Sequence, residues 1–85
     1  MRKDILVIAA KDKKEALRVA NGLSILHHVK VLVVDALNRE DPKVLEQLEA
    51  AEFAKIPLFE VQTRDKNYGK VVADLILQSE EVFII

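Results

Sequence analysis

The chain has 85 residues, 51% of them hydrophobic and 32% charged, with 13 Lys plus Arg against 14 Asp plus Glu and a net charge of −1. That length suits one domain, residues 1–85, and the apolar fraction excludes a disordered tail. The balanced charge excludes a general nucleic-acid binder, which needs a basic field to displace counterions, and with no Cys there are no disulfides, zinc fingers or thiol chemistry.

Four apolar runs predict strands and three stretches of helical spacing lie between them, in the order βαβαβαβ. The first strand is Ile5–Ala10. It is far shorter than the roughly 20 residues of a membrane helix and ends in Lys11-Asp12-Lys13-Lys14, so neither a membrane span nor a signal peptide is expected. A soluble protein in the cytoplasm, with no membrane partner, follows. Asp12 with Glu15 forms the Asp variant of a capping box at the start of helix one, whose apolar stripe is Ala16, Val19, Ala20, Leu23 and Leu26. Asn21-Gly22 interrupts that stripe and is the alternative place for the helix to end.

Val29–Val34 is the second strand. Asp41 then caps helix two, Pro42 takes its first position, and Val44, Leu45, Leu48, Ala51 and Ala54 form its buried face. Ile56–Thr63 is the third strand, with Leu58, Glu60 and Gln62 on one face and Phe59, Val61 and Thr63 on the other. Helix three starts near Asp65 or Asn67 and buries Tyr68, Val71, Val72, Leu75 and Ile76. Val82–Ile85 is the fourth strand.

Strands alternating with helices predict right-handed crossovers and an α/β three-layer sandwich around a four-stranded, mostly parallel sheet. Ile5-Leu6-Val7-Ile8 and Val31-Leu32-Val33-Val34 are apolar on both faces, whereas one face of the third strand is wet. A flavodoxin-like order, 2-1-3-4, accounts for that wet face. It sets helix one alone on one side and leaves strands three and four bare there. The other orders are 3-2-1-4 and a sheet with one antiparallel edge.

Only Gly22 and Gly69 occur, and no Gly follows strand one. The dinucleotide fingerprint and the phosphate-binding loop are therefore absent. No cofactor, metal or catalytic residue is expected, and the chain does not read as an enzyme. Adjacent His27 and His28 do not converge on one metal, and Ser24, read as mid-helix, has no base beside it. In a 2-1-3-4 sheet the strand order reverses between strands one and three, which brings Lys11, Lys13 and Lys14 toward Thr63, Arg64, Lys66 and Asn67. Beside two helix amino termini, Lys11, Lys13, Thr63, Arg64 and Lys66 are the candidate anion-binding residues. The competing reading makes them solvated loop charges.

Val31–Asp35, Pro42-Lys43-Val44-Leu45 and Ile56–Thr63 resemble the central third of a response-regulator receiver domain. The resemblance implies a phosphoacceptor role for Asp35 and a hydroxyl role for Thr63. Ala9 and Ala10 stand where that family has its magnesium-binding acids.

Short loops, capped helices and the lack of any rule-breaking patch also resemble computationally designed small α/β proteins of the Rossmann-like or flavodoxin-like type. Asn21-Gly22, His27-His28 and an exposed Leu77 depart from that pattern. The resemblance implies a scaffold with no evolved function. The alternatives are a small receiver-like or anion- or nucleotide-binding signalling domain using the loops after strands one and three, and an interaction module. For the last, Val82-Phe83-Ile84-Ile85 carries no charge, Pro or Gly to guard a sheet edge. A weak homodimer through Val82–Ile85 or the bare half of the sheet is the expected partner.

Overall fold

The computed structural model describes residues 2–85, and Met1 lies outside them. The elements are β1 (Asp4–Ala9), α1 (Lys13–Leu23), β2 (His28–Val34), α2 (Pro42–Phe53), β3 (Leu58–Val61), α3 (Tyr68–Leu77) and β4 (Glu81–Ile84). All four strands are parallel, in the order β3-β2-β1-β4.

This order replaces the expected 2-1-3-4. The steps β1–α1–β2 and β2–α2–β3 advance in one direction, so their right-handed crossovers put α1 and α2 on the same face. The step β3–α3–β4 runs back past β2 and β1 and puts α3 on the other face. Helix one is therefore not alone on its side. Ile5, Val7 and Ala9 join Val29, Val31 and Val33 under Ala16, Leu17, Ala20, Val44, Leu48 and Ala51. Leu6 and Ile8 join Leu32, Val34 and Val61 under Leu75, with Tyr68, Val71 and Val72 packed around them. The two internal strands are the two that are apolar on both faces, as burial on both sides requires.

The bare regions move with the strand order. Phe83 pairs with Val7, so it lies on the α1–α2 side, where those helices stop short of β4. It is 38% exposed. Phe59 and Ile84 pair with Leu32 and Ile8, and lie exposed on the α3 face at opposite margins of the sheet. One helix cannot span four strands.

Local chemistry explains the element boundaries. Asp12 caps α1 by accepting the Glu15 N–H at 3.0 Å. The reciprocal half of the expected box does not form, because the Glu15 carboxylate turns to Arg18. Helix one ends at Leu23, near the Asn21-Gly22 break, so Leu26 lies beyond it and is exposed; Leu17, outside the expected stripe, is buried with Ala16 and Ala20. On α2 the buried face is Val44, Leu48 and Ala51, while Leu45 and Ala54 are exposed. On α3, Leu75 is buried and Ile76 lies at the exposed flank. The third strand is shorter than Ile56–Thr63, since Pro57 lacks an N–H and the chain turns after Val61.

Candidate functional site

In an open α/β sheet ligands gather at the carboxyl ends of the strands, where the strand order reverses. Here that point lies between β1 and β4, not between β1 and β3. It is filled by the chain itself. Ile85 donates its N–H to Ile8 O at 2.9 Å, and its main-chain oxygen accepts the Lys11 N–H at 2.9 Å and the Asp12 N–H at 3.2 Å. The Asp12 amide is one of the free N–H groups at the start of α1, and the Lys11 amide lies just before it. The Lys13 ammonium bends back to Ala10 O at 2.9 Å, closing the end of β1. The Asp12 carboxylate occupies the first turn of the helix.

The structure separates the five candidate anion-binding residues into two groups. Lys11 and Lys13 flank a cleft of about 520 Å³ between the β1–α1 and β2–α2 loops, opposite Asn38 and Asp41. Three lysines there face two aspartates, both of which cap helices. Thr63, Arg64 and Lys66 lie on the β3–α3 turn, which leads to the other face, with β2 between β3 and β1. That turn is held by Asp65, whose carboxylate accepts Asn67 N at 2.9 Å and whose carbonyl accepts Tyr68 N at 3.1 Å.

Asp35 and Thr63 do come together. Asp35 Oδ1 accepts the Thr63 N–H at 3.0 Å and the Thr63 hydroxyl at 3.3 Å. The Asp35 N–H donates to Val61 O at 2.7 Å, and its φ of 68° is left-handed. Asp tolerates that region better than most side chains. The residue thus ties the end of β2 to the end of β3, with Arg39 bonded to Glu60 nearby at 2.9 Å. This geometry serves turn closure, and the carboxylate oxygen that bonds Thr63 already has two donors.

A second cleft, of about 500 Å³, opens at the amino ends of the strands, lined in part by Arg2, His27, His28, Lys30 and Lys55. Sequence reasoning missed it because it is assembled from strand starts and helix ends far apart in the chain. The cluster of His27, His28 and nearby cations was the available signal. Within it His27 Nδ1 accepts the Lys3 N–H at 3.1 Å, and Lys30 donates to Gln78 Oε1 at 3.2 Å. Among the described residues, no group of three His, Cys, Asp or Glu is placed to hold a metal ion. Ser24 is the C-cap of α1, not a mid-helix residue, and its hydroxyl donates to Asn21 O at 2.7 Å. No helix is long and apolar enough to cross a membrane among the described residues.

No family model matches the chain, and neither a curated protein nor a solved structure matches it.

Proposed function

We propose that this chain is a structural scaffold: an idealised α/β unit with no evolved reaction, of the kind found among designed Rossmann-like and flavodoxin-like proteins. One observation carries the reading. The Ile85 main-chain oxygen takes the Lys11 and Asp12 amides at the point where such sheets receive their ligands. A phosphate entering there would have to displace a backbone hydrogen bond of the sheet's own closure. The Lys13–Ala10 bond and the Asp12 cap oppose it further.

Titration with inorganic phosphate, followed by amide shifts, tests this. The amides of residues 10–14 and 63–68 should show no saturable shift at millimolar phosphate. Saturating shifts in either loop would return the anion-binding reading to first place.

A second reading, a module that pairs through its sheet, is favoured by β4. Phe83 and Ile84 are 38% and 72% exposed on the two faces of that margin strand.

A further inference from the structure

The two margins of the sheet differ in what protects them. The β3 margin begins after Lys55 and Pro57, and its Glu60 is held by Arg39 at 2.9 Å. Proline and charge are the usual guards against strand addition. At the β4 margin Glu81 stands at the first position, paired with Lys3 at 2.8 Å, and Val82, Phe83 and Ile84 follow with no charge. The open margin is also the apolar one, and its side chains are exposed on both faces of the sheet.

The backbone restricts how a second chain can add there. Ile85 turns both its N–H and its C=O toward β1 and the β1–α1 loop. Alternation along the strand gives Phe83 the same sense and leaves the N–H and C=O groups of Val82 and Ile84 on the outer side. From this we propose that a second copy of the chain adds antiparallel to β4 about a two-fold axis at Phe83. Val82 and Ile84 of each copy exchange backbone hydrogen bonds with Ile84 and Val82 of the other, and the two Phe83 residues face each other at a non-hydrogen-bonded site. The sheet becomes eight-stranded.

Side-chain chemistry favours this register over one centred on Val82. Centring on Phe83 sets aromatic against aromatic on the α1–α2 side and Val82 against Ile84 on the α3 side, and Glu81 faces an Ile85. No like-charged side chains oppose one another, and aromatic and β-branched cross-strand pairs are the favourable ones. Centring on Val82 would set Glu81 against Phe83. The interface is one short strand with its flanking side chains, well below the roughly 800 Å² per partner of a standard stable interface. Association is therefore weak and reversible, with half-dimerisation at submillimolar to millimolar chain concentration.

This inference deepens the pairing reading and rests on it, and the experiment separates the two. Sedimentation equilibrium over a concentration series measures association for wild type, Phe83→Lys, Ile84→Lys and Phe59→Lys, with circular dichroism checking that each folds. Ile84 is 72% exposed, so its substitution leaves the fold intact even if Phe83→Lys does not. The β4 variants should weaken dimerisation at least about tenfold, as expected for losing a buried apolar side chain, and Phe59→Lys should not. In a sample mixing isotope-labelled and unlabelled wild type, intermolecular proton contacts should join the two Phe83 α-protons, and Val82 to Ile84. A chain monomeric at millimolar concentration would overturn both the inference and the pairing reading. A dimer abolished by Phe59→Lys and indifferent to the β4 variants would overturn only the inference. So would a β4 dimer whose contacts join Val82 to Val82.

Discussion

Lys55 has a φ of 59° at the end of α2, in the left-handed region where a side chain costs about 1–2 kcal/mol. Its position follows from the cap. The Ile56 N–H donates to Ala51 O at 3.0 Å and the Lys55 N–H to Glu52 O at 3.0 Å, the paired bonds of a Schellman motif. Ala51 and Ile56 belong to the same buried cluster, completing the motif's apolar contact. Glycine meets the backbone demand without strain, so Lys55→Gly should stabilise the protein by about 1 kcal/mol. A denaturant midpoint that falls, or stays put, would show that the Lys55 side chain offsets its backbone. Nothing in the sequence marked this site, because the usual signal is a Gly or Asn, and here a Lys fills the position.

At the scale of the element, α2 shows how far periodicity reaches. Val44, Leu48 and Ala51 are buried as their spacing indicates, but Leu45 is 40% exposed where Leu48 is 4% exposed. A repeat of three and four fixes the axis of the apolar face and leaves its width to the neighbours. On one side α1 borders α2, where Asn21 donates to both Gln47 O and Gln47 Oε1 at 3.0 Å, and Leu45 lies on the opposite flank, about 160° around the helix. Leu48→Ala should cost about 2–4 kcal/mol through the cavity it leaves, and Leu45→Ala less than about 1 kcal/mol. Equal losses in chemical denaturation would mean that the helix is rotated about its axis. The same limit explains α1. The expected stripe runs on to Leu26, but the helix stops at Leu23, so Leu26 leaves the face; separately, the buried face is turned toward Ala16, Leu17 and Ala20, with Val19 and Leu23 only half-buried.

Across the whole molecule, element type and sequence were legible, and strand order was less so. The two-sided apolar pattern of β1 and β2 was already the mark of two internal strands, which only 3-2-1-4 among the parallel orders considered satisfies. The wet face of β3 fits 2-1-3-4, where its half of the sheet is bare on one side, and equally 3-2-1-4, where β3 is an edge strand. With the order displaced, the candidate anion residues fall into two groups, while Asp35 and Thr63 meet because β2 and β3, which 2-1-3-4 would set apart with β1 between them, are neighbours.

Charge at the periphery adds a pH dependence. The Lys3 hydrogen bond holds the Glu81 carboxyl below the usual carboxylate range, and the Arg18 hydrogen bond does the same for Glu15. Each carboxylate binds its proton less readily folded than unfolded. Its stabilisation is present above the ordinary carboxylate range and is lost as pH falls through the lowered value. Both pairs are exposed, so the effect is small. Urea midpoints should fall between neutral and strongly acidic pH, and Glu81→Gln should make that fall shallower. An unaltered fall in the variant would show that the Lys3 pair adds nothing.

The parallel pairing of β1 with β4 also governs how the protein answers a mechanical load. The start of β1 and the end of β4 lie at opposite ends of adjacent, parallel strands, paired from Ile5–Glu81 to Ile8–Ile84. Tension applied at Arg2 and Ile85 pulls these two strands lengthwise past each other. The hydrogen bonds of that ladder, and those from Lys11 and Asp12 to Ile85, then bear the force together. An unzipping geometry would break them one at a time. Under tension the seam between the first and last strands is the molecule's clamp, and it yields only when the whole ladder slips.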